Sequence, residues 1–334
     1  MRALLIAVLF FHASVALAQT EPSSPAETAA TSQLLEAVVV SGVQPGPGLW
    51  RVSKGDKVMW VLGVLSPLPK RMKWAPREVE QIIASSQAFL MGPSAKLKKN
   101  IGFFRGLTLL PAALGSRKNP YDKKLVEVVP ADLYARWLPL KAKYIGRSSG
   151  IEKQRPLFAS AKLYEKAIKK NKLTFDSQTE TVIKKALKKT KIPLIEPTIE
   201  IDLPDPRQAI RDFANSSLDD IDCFAKTLER LETDLQAMRE RANAWATGDI
   251  EALRALPFTD QNQICADAVL NAGFVKDRGL GDMRARLGEA WLQAAETALA
   301  THKSTFAMLP MAQILKPDGY IETLRARGYD VEEP

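Results

Sequence analysis

Very few side chains in this chain could drive hydrolysis. Only two of its 334 residues are histidines, His12 and His302. An imidazole is the usual group for activating a serine or cysteine nucleophile, or for holding a catalytic zinc. His12 lies in an N-terminal segment that reads as a cleaved leader, so His302 stands alone, and one imidazole cannot build a multi-histidine metal site. No Ser-x-x-Lys motif occurs anywhere. His302 itself reads as a helix C-terminal residue, where a cationic ring suits the helix dipole. Cys223 and Cys265 are the only cysteines. An oxidising compartment would allow them to pair; otherwise they are two buried thiols that pack as small apolar groups.

The compartment is read from the N-terminus. Arg2 precedes the apolar run Ala3 to Phe11, and Ala16-Leu17-Ala18 forms a small-residue cleavage site. Residues 1–18 therefore predict a secretory signal peptide. No cysteine follows the site, which argues against a lipid anchor. No later run is long enough to span a bilayer. The expected location is periplasmic or secreted. Residues 19–40, rich in Pro, Ser, Thr and Ala, predict a disordered leader, and residues 41–334 a single domain. A hydrophobic content of 46% is enough for a real core. Charge is uneven: residues 90–195 carry 24 Lys/Arg against 7 Asp/Glu, while residues 196–334 carry 15 against 25.

Elements follow from periodicity. Leu49 to Val52 and Val58 to Leu65 flank the turn Lys54-Gly55-Asp56-Lys57 and predict a hairpin. Pro76 to Leu90 reads as a helix, and residues 96–172 as helical patches between Pro and Gly breaks. A capping box of Ser177 with Glu180 opens another helix. That helix turns Val182, Ile183, Ala186 and Leu187 to one face and Lys184, Lys185, Lys188 and Lys189 to the other. Ile192 to Glu196 predicts a short edge strand after Pro193. An apolar stripe from Leu218 to Trp245 predicts one long helix, with Asp219, Asp220 and Asp222 as first-turn charges. Gly248 ends this helix and Asp249 caps the next. Thr305 to Leu309, Tyr320 to Arg327 and Tyr329 to Glu332 predict a closing strand, helix and strand. The fold class expected is α/β, a central mixed sheet flanked by helices, with a helix-rich middle and C-terminal region.

Several of these stretches carry a resemblance. Leu49-Trp50-Arg51-Val52 with Trp60-Val61-Leu62-Gly63, the segment Ala244-Trp245-Ala246-Thr247-Gly248-Asp249, and Phe306 to Leu309 followed by Pro317 to Val331 resemble the TraB/GumN family. In order and spacing they span residues 49–334. The resemblance implies kinship with metal-dependent hydrolases of the erythromycin-esterase and haem-binding ChaN type. It also implies a first signature Gly-x-x-His, a second histidine after the C-terminal strand, and a glutamate ending the strand after the first helix. At these places the chain has Gly63-Val64-Leu65-Ser66, Gln313 and Phe89-Leu90-Met91-Gly92. A hydroxyl and an amide are poor replacements for imidazoles on a transition metal. Gly63, Ser66 and Gln313 are thus expected to line a remnant pocket, with no metal and no cofactor.

The remaining functional signal is charge. Lysine faces at Lys162 to Lys172 and Lys184 to Lys191 either bind an anionic partner or are solvated surface. GumN-type genes are associated with exopolysaccharide production. The expected partners are therefore anionic polysaccharide, lipopolysaccharide or an envelope protein, and not nucleic acid. Three functions stay open: an inactive binding or envelope-associated protein, a divergent hydrolase or protease built around Ser66, and a structural partner in an envelope assembly.

Overall fold

The hairpin expected around Gly55 seeds the central sheet. Leu49–Lys54 (β1) runs antiparallel to Lys57–Val64 (β2), from Lys54 opposite Lys57 to Leu49 opposite Leu62. Gly55 makes the turn with φ +63°, a backbone conformation that suits glycine. The computed structural model describes residues 42–98, 102–175, 178–256 and 261–334. The predicted signal segment, the predicted leader and Ser177 of the expected capping box lie outside the described residues.

Four further strands complete the sheet. These are Ala88–Leu90 (β3), Leu194–Ile195 (β4), Ser304–Pro310 (β5) and Asp330–Glu332 (β6). Their order across the sheet is β6-β1-β2-β5-β3-β4. The pairings of β2, β5, β3 and β4 are parallel, and β6 pairs antiparallel with β1. The sheet is therefore mixed, as expected. Its two central strands read as nearly continuous apolar runs because helices cover both faces. Met59, Val61, Leu62, Phe306, Ala307 and Leu309 are wholly buried. Phe89 and Phe306, register partners on β3 and β5, stack with ring centroids 5.6 Å apart.

The main helices, in chain order, are Arg77–Ser85 (α1), Phe103–Gly115 (α2), Ala131–Tyr144 (α3), Pro156–Lys170 (α4), Gln178–Thr190 (α5) and Pro206–Asn215 (α6). Then follow Ile221–Thr233 (α7), Leu235–Thr247 (α8), Ile250–Ala255 (α9), Gln261–Leu270 (α10), Met283–Thr301 (α11), Met311–Leu315 (α12) and Tyr320–Ala326 (α13). A second apolar core, apart from the sheet, lies among α3, α4 and α7. Trp137 and Phe224 pack there at 5.4 Å, with Leu163, Ile168 and Leu228 buried around them. Glu152 ties down its rim, accepting from Trp137 Nε1 at 3.1 Å and pairing with Lys141 at 2.7 Å.

Two expected elements differ from the structure. The helix predicted from Pro76 to Leu90 ends at Ser85, and Ala88 to Leu90 form β3. Those three residues are fully buried between β5 and β4, and a short apolar run does not reveal its own period. The single long helix is two, α7 and α8, separated at Asp234 (φ −104°, ψ −1°). The apolar stripe stays in phase across the break, so periodicity cannot detect it. The Asp234 carboxylate accepts from Arg230 Nε at 3.1 Å and from Arg241 Nη2 at 2.6 Å. One of the three aspartates expected as first-turn charges acts elsewhere. Asp220 is buried, and its carboxylate accepts the Leu157 N–H of α4 at 2.8 Å. Burial pushes the Asp220 carboxyl above its ordinary pKa.

The described residues belong to one compact unit, Ala37–Pro334. Among them no helix is long and apolar enough to cross a membrane.

Candidate functional site

Parallel pairing brings the carboxyl ends of β2, β5 and β3 to one edge of the sheet. Pro310 lies opposite Val64, and Leu309 opposite Gly63. Ser66 follows β2 by two residues, and Gln313 sits in α12 directly after β5. Both line one cavity of about 520 Å³, with Leu65, Pro310 and Met311 beside them. Its far wall comes from α10 through Gln263 and Ala266, and from α11 through Arg284 and Leu287. The carboxyl ends of strands in an open α/β sheet are where such folds bind ligands.

Gly63 does not line this cavity; it fixes the floor behind it. A Cβ at Gly63 would lie 2.9 Å from Met311 Sδ and 3.2 Å from Ile314 Cδ1. Its carbonyl accepts from the wholly buried Trp245 Nε1 at 2.8 Å. The Trp-x-x-Gly-Asp stretch is a clamp on the sheet. Trp245 meets Trp74 edge-on at 6.0 Å, Gly248 turns the chain with φ +73°, and Asp249 accepts the Ala252 N–H at 2.9 Å to start α9.

The polar groups along the cavity wall are the Ser66 hydroxyl, the Gln263 and Gln313 amides and the Arg284 guanidinium. Arg284 Nη2 donates to Asp267 Oδ1 at 2.6 Å. Among the described residues the lining holds neither imidazole nor carboxylate, and no group of three or more His, Cys, Asp or Glu could hold a metal ion. Neutral oxygens beside a guanidinium do not suit a transition-metal cation. Met91 and Gly92, beyond β3, add no carboxylate. His302 caps the C-terminus of α11 and precedes β5, at the opposite edge of the sheet. The six register steps from Ser304 to Pro310 alone separate it from Ser66 by about 20 Å. His302 cannot serve Ser66 as a base.

The other predicted positions lie elsewhere. Lys184, Lys185, Lys188 and Lys189 are exposed on α5, while Ile183 and Ala186 on its opposite face are buried. Lys184 pairs with Glu180 at 3.2 Å, and both side chains are largely exposed. Cys223 and Cys265 form a disulfide that joins α7 to α10, with Cα atoms 4.7 Å apart. Sequence reasoning did not find Gln263, Asp267 and Arg284. They stand about 200 residues from Ser66 in a helical stretch with no motif, so only the tertiary fold reveals them.

A cleft at the carboxyl edge of a mixed sheet flanked by helices defines a mixed α/β scaffold. The chain belongs to the TraB/PrgY/gumN family, whose model matches residues 48–333. No curated protein and no solved structure matches it.

Proposed function

We propose that this protein is an exported, cell-envelope-associated member of the TraB/PrgY/gumN family that has lost metal-dependent catalysis and acts by binding. The observation carrying this reading is the donor set of the cleft: hydroxyl, amides and a guanidinium where the resemblance implies imidazoles and a carboxylate. The partner is an anionic glycan or lipopolysaccharide, engaged by the lysine face of α5. All four lysines of that face are exposed, and the opposite face of α5 is spent on packing. Dense fixed cations on one helix raise the local concentration of a polyanion.

Two measurements test the reading. Metal analysis after dialysis against micromolar zinc and manganese should find neither at stoichiometric level; one equivalent retained would overturn the non-catalytic assignment. Immobilised lipopolysaccharide or acidic polysaccharide should retain the protein at physiological salt. Changing Lys184, Lys185, Lys188 and Lys189 to Gln should abolish that retention, and unchanged retention would sink the lysine-face assignment.

A second reading, a divergent hydrolase acting through Ser66, has one observation in its favour: the cleft is open and Ser66 lines it. Any esterase or protease activity should then vanish in Ser66→Ala.

A further inference from the structure

Helix α2 inverts the usual rule for a surface helix. The exposed side of such a helix is normally polar. On α2, Leu109 is buried, whereas Leu107, Leu110 and Leu114 are each about half exposed. Spaced i, i+3 and i+7, these three leucines form one stripe, with the exposed Pro111 in the same stripe. No charged residue occurs from Gly106 to Gly115. Two more exposed apolar side chains follow closely, Tyr121 at 94% and Val126 at 52%. Five of the nine large apolar side chains that the described structure exposes thus fall between residues 107 and 126. Tyr121 also holds a left-handed backbone, φ +59°, uncommon for a bulky residue. The strained turn presents its ring to solvent.

Charge selects what covers this surface. Residues 96–124 carry eight Lys/Arg against one acidic residue, Asp122. Lys98 before the helix, and Arg117, Lys118, Lys123 and Lys124 after it, are exposed, as is Lys96, which pairs with Glu200 at 3.7 Å. An apolar stripe between two basic clusters, with a tyrosine at its margin, matches the boundary between acyl chains and anionic headgroups. A folded protein partner would need specific acidic counterparts at both ends of the helix, whereas an anionic bilayer supplies negative charge on every side.

We propose that α2 and the following turn are a membrane-docking element that lies in the headgroup region of an anionic bilayer. Leu107, Leu110 and Leu114 enter the acyl boundary, Tyr121 sits at the interface, and the flanking cations contact lipid phosphates. The element is separate from α5 and does not depend on the glycan reading.

Vesicle co-sedimentation tests this with protein lacking residues 1–18, whose apolar run would add an anchor of its own. The probe is phosphatidylglycerol–phosphatidylcholine vesicles, compared with phosphatidylcholine alone. Binding is expected on the anionic vesicles only, weakening as salt rises. Leu107→Ser, Leu110→Ser and Leu114→Ser combined should reduce partitioning about tenfold or more. The four α5 lysine-to-glutamine changes should leave it within about twofold, which separates this surface from the glycan site. Leu110→Cys bearing an environment-sensitive dye gives a second readout should the triple variant misfold. Both native cysteines are already joined, so the new thiol alone is labelled. A blue shift with anionic vesicles is expected. No shift, or a shift that appears without vesicles as protein concentration rises, would overturn the proposal, the latter by assigning the face to self-association.

Discussion

The sheet edge around Ser66 and the helical region between α2 and α5 are built to opposite tolerances. At the sheet edge the backbone at Gly63 is held by close contact. Gly63 has no room for a Cβ, Trp245 bonds to its carbonyl, and Met311 and Ile314 fill the space beneath. In the helical region the buried faces are equally apolar, but the outer faces from α3 to α5 carry many lysines, several paired with a nearby glutamate. One region holds a fixed geometry beneath the polar groups at its tips. The other buries an inner face and leaves its charges at the surface. The proposed function assigns binding to the second kind of surface.

Substitutions sharpen that contrast, beginning with the sheet. Trp245→Ala removes a wholly buried ring and the bond to Gly63, and should lower stability by about 3–5 kcal/mol, read as a shifted denaturant midpoint. A loss under about 1 kcal/mol would show that the clamp is dispensable and break the comparison. Asp234→Ala takes the carboxylate from Arg230 and from Arg241, which is only 3% exposed. A loss of about 3 kcal/mol is expected from the same measurement. Cys223→Ser with Cys265→Ser opens a tie across 42 residues of sequence and should cost about 2–4 kcal/mol, mostly through the unfolded chain.

The helical region should respond far less. Lys162 and Lys169 bracket Glu165 and hold its carboxyl down to about 2. A folded pKa below the ordinary 4.5 means this contribution is complete only above that value and disappears as pH falls through about 2. The group is more than a third exposed on its side chain, so the effect should stay below about 1 kcal/mol in acid titrations of Glu165→Gln against the parent chain. Smallest of all, the four α5 lysine-to-glutamine changes should alter stability by about 0.5 kcal/mol or less in thermal melts. A larger loss would mean that those lysines do structural work.

Much of this architecture could be read from the chain because local rules decide it. Gly55 and the alternation around it set the hairpin, Gly248 and Asp249 set a helix end and a helix start, and Gly319 and Gly328 bracket the last helix. What could not be read depends on neighbours remote in sequence. Ala88 to Leu90 is a strand only because β5 and β4 flank it. The parallel pair Ser94–Leu97 with Thr198–Ile201 joins segments a hundred residues apart and was not foreseen. At the site, Ser66 and Gln313 were legible through family resemblance, and the parallel register explains why they converge. Arg284 and Gln263 were not, since helices α10 and α11 reach the cleft only through tertiary packing.

The bond between Cys223 and Cys265 has a further consequence for the cleft. Cys265 sits on α10 between Gln263 and Ala266, both of which face the cavity, so the sulfur bridge latches one wall of that chamber to the helical body. Before oxidation the wall is unlatched. If the chain is exported as proposed, the chamber takes its final shape only after the protein has left the reducing cytosol, so the chemistry of the destination finishes the receptor.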